Sequence, residues 1–395
     1  MNTDSANRND PKAGAYLSLG IIAWNEETAI RSLLETVFQQ TLFADLHKRQ
    51  LHCEILCVAN GCTDRTVEVA TEIFTEQART HPHAAAFCCR VVNLKERGKI
   101  NAWNEFVHSA SAREAEFLTL MDADIVIHNP DTLLSLLRTL ETYREAKIAV
   151  DTPRKDIEFK SRLTAPERMS LAMSRLTRSA SAQLCAQLYC IRAETARNIY
   201  LPKDLTACDD GFIKTLVCTD FLAHAVWPMR IQIARNASHT FEAYTSLAGV
   251  FKNQKRQAIG QTLVHLLVDD YLKRLPMWER NRLAETLRRK DRENPDWLKQ
   301  LVRDHLRRKR FFWRLYPGLL SHRFRRFSHF RWWKRIAYFP AALAGSIVSL
   351  FASFAAYRFL KSGSTGYWPR VDRTPLRTLN LPGESLSSFT HLKTQ

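Results

Sequence analysis

Two carboxylates stand one residue apart at Asp122-Ala123-Asp124, directly after the apolar run FLTLM and before IVI. Burying two carboxylates among apolar neighbours is costly in free energy unless a positive group neutralises them. A divalent cation with oxygen ligands does so, and Mg²⁺ usually completes its shell with substrate phosphates and water. The spacing therefore predicts that Asp122 and Asp124 bind Mg²⁺ or Mn²⁺.

Two further polar clusters follow apolar runs that have the length and composition of strands, AYLSLGIIA and CEILCVA. The first comprises Ala23, Trp24, Asn25 and Glu26, and the second runs from Asn60 to Asp64. Each cluster alone is also typical of turns and helix caps. Because parallel sheets bind ligands beyond the carboxyl ends of their strands, we expect both clusters and the two aspartates to form one site.

A second pair of adjacent carboxylates, Asp209 and Asp210, precedes the sequence GFIKTLVC. A neighbouring like charge and partial burial both raise a carboxylate pKa, which suits a group that accepts a proton near neutral pH. The alternative is a helix start, at which acids complement the helix dipole. Arg256 could contact phosphate or lie on a solvated helix face, and His239 could bind the metal or pack in a core.

Apolar runs alternate with amphipathic helical patterns in the first half of the chain, which is typical of a mostly parallel sheet covered by helices. These runs span residues 15–23, 53–59, 87–93 and 116–122. Further strands are expected at 186–192 and 229–235. The predicted fold is therefore α/β, with a mostly parallel or mixed sheet flanked by helices and followed by C-terminal helices.

The charge of the chain is uneven. Lys and Arg number 58 against 40 Asp and Glu, and residues 303–335 alone hold 12 Lys or Arg and nine aromatic residues with one acid. The composition, 45% hydrophobic and 25% charged, excludes disordered and collagen-like classes. Nine cysteines occur without a CxxC pair, and we see no secretory signal, so we expect a reduced, cytosol-facing catalytic part.

Residues 336–357 form an uncharged run of 22 residues, which as a helix would be about 33 Å long, close to the ~30 Å of a bilayer core. Pro340 and Gly345 make a re-entrant break an alternative to a single crossing. Small residues at every fourth position, among them Ala341, Gly345 and Ser349, suit helix contact with another copy, another protein or the chain's own segments. The basic and aromatic flank favours a membrane surface over nucleic acid.

The segments IIAWNEE, VANGCTDRT, ERGKINAWN, LMDAD, QLYCIRAE and CDDGF occur in the order found in glycosyltransferase family 2, which this chain resembles from about Ala15 to Gly260. The resemblance implies a GT-A fold, which is one nucleotide-binding α/β domain. It also implies transfer of a sugar from a nucleotide-sugar with a divalent metal, usually with inversion at the anomeric carbon.

Carried over to this sequence, the resemblance implies a role for each cluster. The residues from Ala23 to Glu26 and from Asn60 to Asp64 would line the nucleotide pocket, and Lys99 would lie near the diphosphate. Asp122 and Asp124 would bind the metal and the diphosphate, and Asp210, beside Asp209, would be the catalytic base. The chain has Ala59-Asn60 where the family often has two acids, one of which binds the nucleobase. Asn60, which can donate and accept hydrogen bonds, could bind the nucleobase in its place. The family's motif of Gln, Arg and Trp is matched only by Asn253 to Gln257, without the Trp.

The sequence thus predicts a membrane-associated glycosyltransferase that faces the cytosol and acts on a lipid-linked or membrane-proximal glycan acceptor. One alternative is a transferase that glycosylates a polyprenyl phosphate, and another is an inactive scaffold that recruits membrane partners. The predicted parts are a polar tail (1–13), the GT-A domain (14–260), a charged helical extension (261–302), the basic interface segment (303–335), a transmembrane or re-entrant helix (336–357) and a C-terminal tail (358–395).

Overall fold

The computed structural model describes residues 14–177, 183–308 and 332–366. The predicted N-terminal tail, most of the basic segment and most of the C-terminal tail lie outside these residues. The described strands are β1 (Leu17–Ala23), β2 (Cys53–Asn60), β3 (Phe87–Leu94), β4 (Phe117–Asp122), β5 (Ile148–Val150), β6 (Arg154–Lys155), β7 (Leu188–Arg192), β8 (Ile231–Ile233) and β9 (Thr240–Phe241).

Seven of these strands form one mixed sheet in the order β3-β2-β1-β4-β7-β5-β8, and β6 pairs with β9 in a small second sheet. Strands β1, β2, β3 and β4 are mutually parallel, whereas β7 runs antiparallel to β4 and β5. The carboxyl ends of the four parallel strands therefore meet at one edge, which confirms the predicted α/β fold and places the polar clusters together.

The central strands are buried on both faces because helices cover both sides of the sheet. All seven residues of β1 and all eight of β2 are buried. Leu19 and Ile21 pack into one apolar cluster, whereas Ile22 belongs to a second cluster on the other side. This alternation is the period of two that a strand imposes on its side chains.

The described helices vary widely in length. They are α1 (Ile30–Phe38), α2 (Leu42–Arg49), α3 (Thr66–Thr80), α4 (Lys99–Glu105), α5 (Thr132–Thr142), α6 (Ala165–Thr177), α7 (Ala193–Arg197), α8 (Asp209–Cys218), α9 (Leu247–His265), α10 (Met277–Arg280), α11 (Leu283–Glu293), α12 (Trp297–Arg308) and α13 (Trp332–Lys361). In α1 the buried residues Ile30, Leu33, Leu34 and Val37 recur at the spacing of one helix face.

The predicted boundary at residue 260 falls inside α9, which begins after Ser246. The Ser246 side chain caps this helix by accepting a hydrogen bond from the Gly249 amide at 3.0 Å. Leu287 of α11 and Leu298 of α12 belong to the same apolar cluster as the sheet residue Ile22. The charged extension therefore shares a core with the α/β part of the chain.

Helix α13 is continuous through Pro340 and Gly345, so the structure does not contain the break that a re-entrant hairpin requires. Within residues 14–177, 183–308 and 332–366, it provides one stretch that is long and apolar enough to cross a membrane, Tyr338–Lys361. The helix packs against α9, α6 and α12. It is thus attached along its side to the catalytic part of the chain.

Candidate active site

A cleft of about 570 Å³ opens at the carboxyl edge of the parallel strands. Nine of the residues predicted for the site line it: Trp24, Glu26, Asn60, Lys99, Asp122, Asp124, Asp209, Asp210 and Arg256. Four others, Ala23, Asn25, Asp64 and His239, are not among the lining residues. The structure therefore brings both acidic pairs, the lysine and the arginine into one space.

Asp122 ends β4 and forms an ion pair with Lys99, whose Nζ lies 2.7 Å from the carboxylate. Lys99 is the first residue of α4 and follows Gly98, which has a φ of +138°. This left-handed backbone is easily adopted only by glycine, and it turns the chain so that Lys99 points into the cleft. Burial lowers the pKa of Lys99, but Asp122 and Asp209 outweigh that effect and the net shift is upward. The ammonium group therefore stays charged.

Asn60 is a buried link between two of the loops that shape the cleft. Its Nδ2 donates to the Ala23 carbonyl at 2.8 Å, and its Oδ1 accepts from the Gly98 amide at 3.0 Å. Both ends of the amide are thus engaged within the protein, as is usual for a buried polar group. These contacts favour a role for Asn60 in positioning Lys99. Recognition of the donor nucleobase by Asn60 stays a prediction from the sequence.

Asp64 and Asn25 hold the first two loops to each other, outside the cleft. Asp64 accepts from the Thr66 amide at 3.1 Å and from the Glu27 amide at 3.1 Å. Asn25 Oδ1 accepts from the Thr63 amide at 2.7 Å. These are the turn and cap contacts that the sequence left open as the alternative to nucleotide binding.

Trp24 and Arg97 form the outer wall of the cleft on the side of the first loop. The Arg97 guanidinium lies 5.8 Å from the centre of the Trp24 ring, within the range of a cation–π contact. The indole N–H of Trp24 has no acceptor among the residues that the structure describes. A flat aromatic surface beside a cation provides a place for a base to stack.

Asp209 and Asp210 begin α8, and both line the cleft. The preceding residue, Cys208, has a φ of +60°, a left-handed conformation that costs a non-glycine residue roughly 1 kcal/mol. Burial and, to a lesser extent, the charge of Asp209 raise the pKa of Asp210, the Gly211 amide, Lys99 and Arg256 lower it, and the net pKa is about 6. Asp210 is therefore a carboxylate that exchanges a proton near neutral pH.

Helix α9 forms the remaining wall and contributes Asn253, Arg256 and Gln257 to the cleft. It approaches the turn before α8 so closely that a Cβ on Gly260 would lie 2.6 Å from the Cys208 Sγ and 2.7 Å from the Ala207 backbone. Only glycine fits at this contact. The packing of α9 against the turn consequently fixes the position at which Asp209 and Asp210 enter the cleft.

The structure does not place His239 as a metal ligand. Its ring is fully buried, with Nδ1 2.7 Å from Asp151 Oδ2 and Nε2 3.4 Å from Gln187 Oε1. Burial lowers the pKa of His239, but Asp151 outweighs that effect and raises it to about 10. The Gln187 carbonyl accepts from the Asp122 amide at 3.0 Å. His239 is thus linked through Gln187 to Asp122 at the end of β4. This corresponds to the second alternative from the sequence, in which His239 packs in a core.

Several residues that line the cleft were assigned no role from the sequence, although three of them, Arg97, Gln187 and Cys208, lie inside the motif segments. The full set is Arg97, Gln187, Cys208, Glu242, Tyr244 and Gln257. Glu242 is three residues beyond His239 in ASHTFE and follows the short strand β9. The only indication of Glu242 in the sequence was that an acid follows His239 closely in this segment. The others come from loops and from α9, whose path relative to the sheet the sequence does not reveal.

The fit of a metal depends on the donor set at the end of β4. Asp122 and Asp124 offer hard oxygen ligands in the cleft, which suits Mg²⁺ or Mn²⁺. Over residues 14–177, 183–308 and 332–366, no group of three His, Cys, Asp or Glu converges in the way a self-sufficient protein site requires. The pair therefore fits a cation that takes most of its remaining ligands from a bound diphosphate and water.

Comparison with protein families identifies the fold and the class of activity. Residues 18–193 match the family described as Glycosyl transferase family 2. This part of the chain belongs to glycosyltransferase family 2. The match contains β1 to β4 and the aspartates Asp122 and Asp124, and it confirms the predicted family, the GT-A fold and a nucleotide-sugar glycosyltransferase. The search of curated proteins gave no match.

Solved structures of low similarity align with this glycosyltransferase. S. aureus TarS 1-349 has 14% identity and a TM-score of 0.39, and the alignment covers 88% of this chain and 92% of that one. Glucosyl-3-phosphoglycerate synthase from Mycobacterium tuberculosis, in complex with Mn²⁺, UDP-Glc and phosphoglyceric acid, has 16% identity and a TM-score of 0.42, with coverage of 67% and 83%. Because these values are low, the assignment depends on the family match.

Proposed function

We propose that the enzyme transfers a sugar from a nucleotide-sugar donor to an acceptor hydroxyl, with inversion at the anomeric carbon. The observation that carries the proposal is the presence of two acidic pairs in one cleft with opposite surroundings. Asp122 is paired with Lys99, whereas Asp210 lies beside Asp209 and has a pKa of about 6. The first arrangement suits a bound diphosphate and the second suits proton transfer.

On the donor side, the leaving nucleoside diphosphate needs its charge neutralised. A cation held by Asp122 and Asp124 would supply Lewis-acid stabilisation of the leaving phosphate oxygens. Lys99 adds a fixed positive charge beside the same site, and Arg256 adds another from α9. These groups are already in place before the reaction, so stabilising the leaving group requires little rearrangement.

On the acceptor side, Asp210 accepts the proton that the attacking hydroxyl loses. A base with a pKa near the working pH is both available in its ionised form and strong enough to take the proton. Asp209 and burial supply that pKa, and α8 presents the carboxylate at its N-terminus. Asp210 lies on α8, whereas the leaving-group clamp lies at the end of β4 and the start of α4; inversion would require the base on the face of the sugar opposite the leaving group.

The acceptor in this proposal is lipid-linked or membrane-proximal, and the enzyme is attached to the cytosolic face of a membrane through residues 303–357. The apolar helix α13 and the 12 Lys or Arg of residues 303–335 support this location. A polyprenyl phosphate is the alternative acceptor. Transfer to short-chain polyprenyl phosphates and to lipid-linked glycans, compared in detergent with the same labelled donor, separates the two.

A thermal-shift panel tests the donor side. UDP, GDP, CDP and dTDP are added with and without Mn²⁺ to the detergent-purified protein and to Asp124→Ala. A ligand at 100 times its dissociation constant stabilises the folded state by about 2.7 kcal/mol. We expect one nucleotide to stabilise the wild type in the presence of metal and to have no effect on Asp124→Ala. Lack of stabilisation by every nucleotide would instead support the inactive scaffold.

A further inference from the structure

Helix α13 has two faces of different composition. One face is buried and consists mainly of small residues: Ala342, Ser346, Ser349, Ala352, Ser353 and Ala356, followed by Leu360. The other is exposed and consists of large apolar residues: Ile336, Phe339, Leu343, Ile347, Phe351 and Phe354. Both sets recur at intervals of three and four residues, so each occupies one side of the helix along most of its length.

The buried face is joined to the catalytic part of the same chain. Ser349 Oγ donates to Gln254 Oε1 of α9 at 2.9 Å, and Lys255 Nζ lies 4.9 Å from the centre of the Phe359 ring. The stripe of small residues left open a contact with another copy, another protein or the chain's own segments, and at Ser349 the structure shows the last of these, since Ser349 contacts α9. A spacing of four drifts around a helix, whereas alternating steps of three and four stay on one side.

The exposed face is continuous with features that favour a lipid surface. Trp332 and Trp333 are exposed at the start of the helix, and Arg335, Arg358 and Lys361 are exposed near its two ends. Aromatic rings of this kind prefer the membrane interface, and cations prefer anionic headgroups. The strongly basic segment that precedes the helix adds charge of the same sign. The charge of this surface is complementary to an anionic bilayer.

We propose that α13 lies in the plane of an anionic membrane, with its exposed apolar face inserted into one leaflet and its small-residue face against the enzyme, rather than crossing the bilayer. This inference rests on the membrane location proposed above and specifies its geometry. The helix has 30 residues and is about 45 Å long, and buried positions run from Ala342 to Leu360.

A crossing is disfavoured by what the buried face contacts. To be surrounded by lipid, α13 would have to leave α9, exposing Ser346, Ser349 and Ser353 to hydrocarbon, or the polar catalytic domain would have to enter the bilayer with it. Polar groups without partners are costly in the bilayer core. An interfacial position keeps the packing with α9 and places only the large apolar side chains in lipid.

The arrangement also locates the cleft relative to the membrane. Helix α9 has Asn253, Arg256 and Gln257 in the cleft and Gln254 and Lys255 on α13. One helix therefore separates the site from the lipid-facing helix. The cleft would thus lie one helix diameter, ~10–12 Å, from the lipid-facing helix, which suits the proposed membrane-anchored acceptor.

The topology test uses the full-length chain in sealed membrane vesicles from expressing cells, oriented with the catalytic domain outward. Trypsin is added, and cleavage at Arg370, Arg373 and Arg377 of the tail is followed by mass spectrometry, with cleavage in the catalytic domain as the control for orientation. Release of tail peptides without detergent is expected, because an in-plane helix leaves both ends on one side.

Tail peptides released only after detergent would overturn the in-plane helix while keeping the membrane location. Absence of the chain from the membrane fraction would overturn both. A second measurement is flotation with vesicles of neutral or anionic lipid, using Phe351→Asp and the matched control Trp278→Asp, whose parent side chains are 62% and 64% exposed. We expect Phe351→Asp to lower partitioning into anionic vesicles about tenfold or more, and Trp278→Asp to leave it unchanged. Equal loss in both variants would contradict the assigned face.

Discussion

The two acidic pairs of the cleft have the same residue type but opposite surroundings. Asp122 lies at the end of a strand, 2.7 Å from the Lys99 ammonium, with Asp124 beyond it. Asp209 and Asp210 begin helix α8, where burial and the Asp209 charge together raise the pKa of Asp210 to about 6. The comparison indicates how neighbouring charge and burial, rather than residue type, would separate a carboxylate that holds cations from one that takes protons in the proposed mechanism.

The difference originates in the elements that present each pair. Gly98, after β3, turns the chain so that Lys99 reaches Asp122 at the end of β4. In the sheet, β2 and β1 lie between these two strands. The left-handed Cys208 and the close contact of Ala207 and Cys208 with Gly260 position the start of α8, where Asp209 and Asp210 are adjacent in the sequence. In the proposed mechanism, the strained backbone at Cys208 would place the proton acceptor.

The largest expected effect follows removal of the base. Asp210→Asn keeps the shape of the side chain but cannot accept a proton, so transfer should fall by about 10²- to 10⁴-fold. Metal-dependent binding of the donor nucleotide should stay within about threefold of the wild type, because the diphosphate clamp is untouched. Initial rates of nucleotide release, together with calorimetric titration of the nucleotide, measure both quantities.

The matched control for this variant is Asp131→Asn, an exposed carboxylate at the start of α5 and outside the cleft. It should retain normal transfer. Normal transfer by Asp210→Asn as well would remove the assignment of the base.

The next largest effect is expected from loss of the Lys99 ammonium group, which forms an ion pair with Asp122. Lys99→Met retains the length of the side chain and loses its charge, so affinity for the nucleoside diphosphate should fall by roughly tenfold or more. Because Lys99 also lowers the pKa of Asp210, the rising limb of the pH–rate profile should move to higher pH. Unchanged affinity and an unmoved profile in Lys99→Met would show that the lysine does not act on either pair.

A smaller effect is expected at the contact that positions the second pair. Gly260→Ala places a methyl group 2.7 Å from the Ala207 backbone, which has to move and shift Asp209 and Asp210 with it. Overpacking of this kind costs about 1–3 kcal/mol of stability, and we expect kcat to fall more than donor affinity. Denaturant unfolding and steady-state kinetics test this, and a variant with wild-type kcat would show that α9 does not position the base.

The last expected effect concerns the pH dependence of stability and requires no change in activity. The folded-state pKa of Asp210 is about 6, above its ordinary value of 3.8, so the folded state binds more protons than the unfolded state between these values. Stability is therefore lost as the pH rises from about 4 to 6, and Asp210→Asn should recover at most about 3 kcal/mol above pH 6. Melting temperatures at pH 4 and pH 7 test the sign. An equal difference at both would contradict it.

The sequence was sufficient for the parts of the site that follow long apolar runs. Strands β1, β2 and β4 are buried over nearly their whole length, so their ends, and with them Trp24, Asn60 and Asp122, could be located. Strand β5 has only three residues and gave no periodic signal. Without it, the sequence could not show that Asp151, just beyond β5, is the partner of His239.

The positions of the C-terminal helices α9 and α13 could not be predicted, because they depend on contacts between elements that are distant in the sequence. The hydropathy of residues 336–357 measures composition and does not distinguish lipid from a protein neighbour. The small and large residues of α13 lie on different faces, but the sequence alone does not show which face meets the protein. The contact of Ser349 with Gln254 of α9 identifies the small-residue face as the one packed against the protein. Likewise, Arg256 could be assigned to the cleft rather than to a solvated face only from the path of α9.

The most direct test of the contrast between the two pairs is the pH dependence of donor hydrolysis, with water as the acceptor, in the wild type and Asp209→Asn. The account predicts a rising limb with a midpoint at about pH 6 in the wild type. Loss of the Asp209 charge lowers the pKa of Asp210, so the midpoint in Asp209→Asn should move to lower pH. A midpoint that stays in place would contradict the account, as would a profile that is flat from pH 4.5 to 8.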